Sequence, residues 1–499
     1  MKFYEIDNAL QDAITAGDKA VRLRIEIDLS GHFESVFEQD IIEANFYSLK
    51  EVAGGVSSRG ELLLDNQQGI YSYHNAGPGS QVKVSFSIGE GLPYSQRFSF
   101  YIDDKGIQDI RGPGRKRYVR LDLGDLSAKL RKTDETRDWT APAVFTYSVI
   151  CDKTKPDNSL VHGITKRAGL SANDIDCSTI PVTLPYIRLR RNTWAELSNL
   201  ATAYRCHLEC APEKPLVFAY SPYQMEPLTD EEISHTFSGE NIFYLRKTAM
   251  AELYRNTVRL KVNLPVSLDK QEIWRYEDPP VLYDDFYQGY YPFRYPIERE
   301  IEHSGYEAHY KIKDSTGKER PVVYADHIDT QEEAESRLQY LGGPFSYSNY
   351  DVTTNHDRAL LRLNKTVDGD LYRASIHGRP IVLDLNRSCF MRDAEGVNTF
   401  GTVALNVTGS YFSEYEIDGR PHYEDWVIRE LAERIQNRRE FTVKTHRGVF
   451  NARVGAKVKV KIKSEEVKGV ITAFLLRYRK NEAFIASFRI IEQGAKSNE

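Results

Sequence analysis

The sequence predicts a mainly β, multidomain fold with smaller α+β modules, and three observations carry that prediction. At 499 residues the chain is longer than one hydrophobic core organises, and domains of about 100–150 residues give three to five units. Apolar and polar residues alternate with period two in many short runs bounded by turn residues, which is the pattern of a half-buried strand. Tyr (31) and Phe (22) far outnumber Met (4), a mix that favours strands and aromatic contact surface over helical cores.

The leading segment, Tyr4 to Ala16, spaces Ile6, Ala9, Leu10 and Ile14 as a short helix that stops near Gly17. From Val21 the period changes: Leu23, Ile25 and Ile27 face one way and Arg22, Arg24, Glu26 and Asp28 the other, a half-buried strand. Similar alternation at Val82 to Ile88, in RFSFYID and at Val119 to Leu123, with the short apolar run ELLLD after Gly60, predicts an antiparallel barrel or sandwich over about 18–150. A start signal at Pro156–Ser159 precedes a helix through Leu160, Val161, Ile164 and Ala168, ended by Gly169. A second helix follows in RNTWAELSNLATAY, capped by Asn192 or Thr193, and HLECA and PLVFAY then form a hairpin. These make a small α+β module over 151–245.

Strand signals resume at TVRLKVNL, and a hairpin in Tyr306–Ile328 turns at Asp314–Gly317. A helix over Gln331–Leu341 and strands through Leu360, Tyr372 and Ile381 complete a second β-rich unit to about 400. The last unit, 401–499, has strands near Val403 and Val407, a helix with Ile428, Leu431, Ala432 and Ile435 on one face, then three or four strands. The expected division is therefore 1–150, 151–245, 246–400 and 401–499, with no fixed-period repeat.

Composition narrows function by exclusion. The 41% hydrophobic and 28% charged fractions are those of a globular chain and exclude disordered, collagen-like and coiled-coil classes. A net charge of -6 disfavours a dedicated nucleic-acid binder, whose phosphate contacts need a basic excess. No apolar run of about 18 residues occurs, and Glu5, Asp7 and Asp12 interrupt the start, so neither a membrane span nor a secretory signal is expected. The five cysteines, Cys151, Cys177, Cys206, Cys210 and Cys389, are an odd, scattered set, read as reduced thiols.

Chemistry-bearing motifs are few. HExxH, GxSxG, the P-loop, the dinucleotide fingerprint, EF-hand loops and paired CxxC are all missing from the sequence. Cys151, Cys177, Cys206 and Cys210 could arithmetically supply four thiolates, but without CxxC spacing they read as small apolar core residues, so no metal or other cofactor is expected. The twelve histidines offer no helical i, i+4 pair. Glu277 with Asp278, and Asp284 with Asp285, could flank a glycosidic bond, yet adjacent acids on one loop usually point apart into solvent. The lysine row Lys457 to Lys463, with Arg438, Arg439, Lys444, His446 and Arg447 nearby, could track phosphates; the plainer reading is a solvated face that discourages edge pairing. The most unusual composition is YEDPPVLYDDFYQGYYPFRYPIE, Tyr276 to Glu298. There Tyr283, Phe286, Tyr287, Tyr290, Tyr291, Phe293 and Tyr295 read as protein-interface anchors, with a carbohydrate-stacking platform as the alternative.

Taken together these segments resemble the hub proteins of bacteriophage tails and related injection particles. In TWAELSNLATAYRCHLECAPEKPLVFAY, a Trp-led helix runs into a hairpin ending in an apolar-aromatic strand, through Trp194, Leu197, Leu200, Ala201, Ala203 and Phe218. GELLLDNQQGIYSYHNAGPGSQVKVSF is similar to the family's first-domain pattern at Leu64, Asp65, Asn66, Gly69, Tyr71, Gly79, Val82 and Val84, and WVIRELAERI with GAKVKVKI and Gly469–Ile471 to its closing barrel. Pro212 and Pro215 stand where the family's hairpin usually has Asp and Gly at its tip, and the opening helix is not general.

The resemblance implies two tube-like antiparallel β-barrels, over 18–150 and 246–400, plus two smaller peripheral domains. It implies a homotrimer whose six barrels form a pseudo-sixfold ring, joining the tail tube to the tail tip or baseplate and passing DNA without specific binding. Partners would be the tail tube or distal tail protein, a central spike or fibre protein and the tape-measure protein, in a virion tail assembled in the host bacterial cytoplasm. Catalytic, cofactor and metal residues would be none. The rival readings are a carbohydrate- or receptor-binding tail protein using Tyr276–Tyr295, and a cell-wall hydrolase using Asp284 or Asp285, for which the chain after its closing strands leaves no added domain.

Overall fold

Period-two alternation becomes a strand at Val21–Leu29, where Val21, Leu23, Ile25, Ile27 and Leu29 are buried and the residues between them are not. The two-residue loop Ser30–Gly31, both with positive φ, turns the chain tightly into His32–Ser35. The protein is seen here in a computed structural model that describes residue 2 and residues 4–493. Left out are 17–19, 52–53, 72–74, 114–115, 136, 141–147, 185, 221–227, 250–253, 278–281, 284–285, 288–296, 303–310, 314–316, 318, 322–323, 329–338, 342–349, 355–357, 364–369, 410, 414–415, 418, 436–438 and 463–464. Over most of 273–376 only the backbone course is described.

The largest sheet runs through both ends of the chain. Its main path is Tyr244–Ala249, Arg439–Thr445, Ile485–Glu492, Glu465–Arg479, Ile41–Lys50, Gly55–Asp65, Arg117–Gly124, Ser95–Arg111, Gln81–Ile88, Val21–Leu29 and His32–Ser35. Antiparallel pairing of Phe46 with Leu476 and Ala44 with Tyr478 joins the first strands to the last. The shared core is aromatic. Phe46 stacks on Phe98 at 5.5 Å, Phe86 on Phe450 at 5.4 Å, and Phe98 meets Phe474 at 6.4 Å.

The α+β module forms as its caps predict. Ser159 accepts from His162 N at the head of the helix Leu160–Arg167, and Asn192 accepts from Ala195 N, 2.9 Å away, at the head of Thr193–Ala203. Cys206–Glu209 and Leu216–Tyr220 make the expected hairpin, and Ile175–Cys177 adds a parallel strand. Leu208 and Glu209 also pair with Gly55 and Val56, which attaches the module to the large sheet. The indole of Trp194 lies over this junction. A Cβ on Gly55 would stand 2.7 Å from its Cζ2 and 2.9 Å from Ser198 Oγ.

A further sheet is organised by one long strand, Asp370–Arg392, which pairs with Thr257–Ser267, Gln271–Glu277, Tyr324–Ile328 and Gln339–Leu341. Lys311–Lys313 and Glu319–Pro321 form the predicted hairpin. The helix expected over Gln331–Leu341 is corrected in its last three residues. Gln339–Leu341 is a strand laddered on Arg373, Leu371 and Asp370, while 331–338 lie outside the described residues. Backbone groups of the long strand offer that segment a ladder that periodicity could not reveal.

Two other readings change. The helix His422–Arg434 buries Tyr423, Trp426, Val427 and Leu431, not the stripe through Ile428 and Ile435; the larger aromatic side takes the interior and Ile435 is exposed. Lys457–Ile462 is not a solvated edge. It pairs with His235–Ser238 on one side and Glu465–Arg479 on the other. Lys459 is only 7% exposed, held by Asp230 Oδ1 at 2.7 Å and Glu466 Oε1 at 2.8 Å, and Lys457 pairs with Glu232. Glu232, Asp230 and Glu466 pair with Lys457, Lys459 and Lys461 of the lysine row, and Lys463 lies outside the described residues.

The Gly55–Trp194 approach gives a direct test. Gly55→Val should lower stability by about 1–3 kcal/mol through overpacking, read as a shift in the denaturant midpoint; an unchanged midpoint would show that the sheet and helix do not meet this closely.

Candidate interface site

The aromatic run expected to anchor partners is only partly placed. Leu282–Tyr283 and Phe286–Tyr287 form a two-stranded antiparallel pair with Tyr283 opposite Phe286. Tyr290, Tyr291, Phe293 and Tyr295, like Asp284 and Asp285, lie outside the described residues.

The described residues present a different aromatic surface, at the two ends of the large sheet. His32–Ser35 is exposed throughout and, among the described residues, pairs only with Val21–Leu29. Phe33 there is 41% exposed, with Lys83 Nζ 3.8 Å above its ring, and Phe37 just beyond is 57% exposed. At the opposite end Tyr244–Ala249 pairs only with Arg439–Thr445 among the described residues. Phe243 and Tyr244 are 49% and 41% exposed; Phe243 stacks on His446 at 4.1 Å and Lys444 Nζ sits 4.8 Å from the Tyr244 ring centre. An outer strand with exposed aromatic side chains can take another strand by backbone pairing. The signal that could have found these residues is HFESVF directly after a Ser-Gly turn, where large apolar residues fall on the face the preceding strand leaves to solvent.

Behind the sheet lies a buried cluster of charges. Glu209 accepts from Tyr4 Oη at 2.9 Å and from His207 Nε2 at 2.8 Å, and pairs with Arg453. Arg97, buried beside it, donates to Phe450 O at 3.1 Å and Ala452 O at 2.5 Å, with its guanidinium 4.2 Å from the Tyr4 ring centre. Burial pushes the Glu209 carboxyl up, but His207 and Arg453 overcome it and hold the group at about 2. Burial keeps the His207 imidazole below its ordinary range in spite of Glu209. Sequence reasoning missed this cluster because Glu209 stands in HLECA as one ordinary polar residue.

The thiols are divided differently from the tetrad considered from sequence. Cys151 and Cys177 come together with His162, while buried Cys206 donates to Tyr204 O at 3.5 Å and Cys210 is half-buried. All five cysteines are unpaired. His162 was missed because it stands alone on its helix, with no second ligand at helical spacing. No helix among the described residues is long and apolar enough to cross a membrane.

A scan against family models gives no match, and a search of the curated proteins gives none. Solved structures to which this chain is similar include the 43 kDa tail protein of prophage MuSo2 from Shewanella oneidensis. It is 10% identical over 94% of this chain and 98% of that one, with a TM-score of 0.46. The tail protein from Neisseria meningitidis is 9% identical over 95% and 97%, with a TM-score of 0.46. Prophage tail protein gp18 from Listeria monocytogenes is 9% identical over 96% and 95%, with a TM-score of 0.42.

The charge cluster predicts an acid-sensitive fold. Since the Glu209 carboxyl lies near 2 when folded against an ordinary 4.5, its contribution is complete above about pH 5 and is lost as pH falls toward 2. That contribution is about 3 kcal/mol. Glu209→Gln should cost on the order of 3 kcal/mol at pH 7, since half-buried Arg453 loses its counter-charge, and should flatten the stability profile between pH 5 and 2 in denaturant titrations. A variant profile parallel to that of the parent would remove Glu209 from this role.

Proposed function

We propose that the chain is a non-enzymatic structural subunit of a bacteriophage-type tail, a hub protein that closes into a homotrimeric, pseudo-sixfold ring between the tail tube and the tail tip or baseplate. The observation that carries the reading is the open sheet with exposed aromatic residues at two unlike ends. Phe33 and Phe37 lie at one, with Glu34 and Lys83 around them; Phe243 and Tyr244 lie at the other, near Arg246 and near Lys247, which pairs with Glu465. Joining unlike edges is a head-to-tail contact, and head-to-tail contacts that close by rotation make rings.

The resemblance carried by Trp194, Leu197, Leu200, Ala201 and Phe218 supports the same reading, and their helix and hairpin sit against the large sheet. In this proposal 18–150 and 246–400 supply the ring barrels, 151–245 and 401–499 complete the subunit, and the aromatic run Tyr283–Tyr295 meets tube, spike or tape-measure partners. DNA passes the lumen without specific contact, so a lumen wall of neutral or acidic character is required. The work is mechanical, carried by domain movement and not by bond chemistry.

Light scattering and averaged electron-microscope images of the purified chain test this together. The expected result is a trimer with a central opening. Replacing Phe33 and Phe37 by Asp, or Phe243 and Tyr244 by Asp, should release monomers with unchanged circular dichroism, each edge losing on the order of 2 kcal/mol or more of contact energy. A parent protein that is monomeric at assembly concentrations sinks the ring proposal.

A further inference from the structure

Three metal-ligating side chains from separate elements converge inside the α+β module. Cys151 ends the strand Ser148–Cys151, His162 lies in the first turn of the helix Leu160–Arg167, and Cys177 ends the strand Ile175–Cys177. One ligand atom from each lies within 4.8 Å of the others, and all three residues are buried. Their surroundings are apolar, including Ile150, Leu160, Val161, Ile164 and Ile175.

Those separations suit one ion. Around zinc, with bonds of about 2.3 Å to sulfur and about 2.0 Å to nitrogen at tetrahedral angles, the ligand atoms stand roughly 3.5–3.8 Å apart. Ser159 Oγ lies 2.7 Å from His162 Nδ1 and fixes the ring plane, as outer hydrogen-bond partners do for metal-bound imidazoles. Two thiolates and a neutral imidazole balance the charge of a divalent ion in an apolar site. Soft sulfur with imidazole selects zinc over the oxygen-seeking magnesium and calcium.

We propose that Cys151, His162 and Cys177 form a three-ligand zinc site that joins strand, helix and strand of this module. On binding, each thiol gives its proton to solvent, two sulfur–metal bonds and one nitrogen–metal bond form, and no electron is transferred. The fourth position is left to a small oxygen ligand.

The test uses the full chain, purified with reductant, stripped with chelator and titrated with Co2+ alone. A thiolate-to-cobalt charge-transfer band in the near ultraviolet and tetrahedral bands in the visible should rise to saturation at about one Co2+ per chain and vanish on adding Zn2+. Cys177→Ser should roughly halve the charge-transfer intensity, and His162→Ala should weaken binding at least about tenfold. Should a variant fail to fold, the parent chain still decides, because Zn2+ must raise its melting temperature. Absence of the bands, their survival in a Cys151→Ser/Cys177→Ser chain, or a Cys151–Cys177 disulfide in freshly isolated protein would each overturn the proposal.

Discussion

Among the buried carboxylates, Glu209 is the constraint on which the arrangement of the chain depends. Several kcal/mol oppose burying such a charge unless its oxygens are fully engaged. Here Tyr4 comes from the leading segment, His207 from the hairpin and Arg453 from the closing segment. Each partner that is missing leaves the carboxylate less fully engaged, which favours the three segments arriving together. Arg97 extends the same logic: its donors end on the carbonyls of Phe450 and Ala452, residues an apolar core alone could have placed in other registers. Aromatic packing supplies most of the cohesion, and the charges select one arrangement among those that packing would permit.

Local structure was largely legible. Val21–Leu29, the caps at Ser159 and Asn192, and the Cys206–Tyr220 hairpin follow from neighbours a few residues apart, where periodicity and side-chain capping act. Pairings across the chain were not. Nothing in Ile41–Lys50 says that its partner is Glu465–Arg479, because every half-buried strand presents similar backbone and alternation. Lys459 was misread for the same reason, since its acids at Asp230 and Glu466 are far from it or across a turn. The site followed that division too. An aromatic run catches the eye in sequence, whereas Phe33 and Tyr244 gain meaning only as the ends of a sheet whose order is known.

The edges and the interior place opposite demands on the same sheet. Its middle strands are closed by pairing and by Phe46, Phe86, Phe98 and Phe474, while its ends carry the exposed rings and charges described above. Charged residues on outer strands ordinarily discourage indiscriminate pairing. Glu34 and Lys83 at one end and Arg246 at the other keep that protection, while aromatic residues beside them supply contact area.

The ladder between Glu43 and Arg479 also sets a timetable. At about 5–20 residues per second of synthesis, roughly 20 to 90 s separate the emergence of these two strands from the ribosome. For that interval Ile41–Lys50 has its hairpin partner Gly55–Asp65 but lacks the other neighbour it needs. The first half of the chain must therefore wait, incompletely covered and dependent on chaperones or on its own solubility, until Glu465–Arg479 has been made. A transcript broken before Glu465 would yield a polypeptide with an unfilled slot beside Ile41–Lys50 in its sheet, marked for disposal by the surface it leaves open.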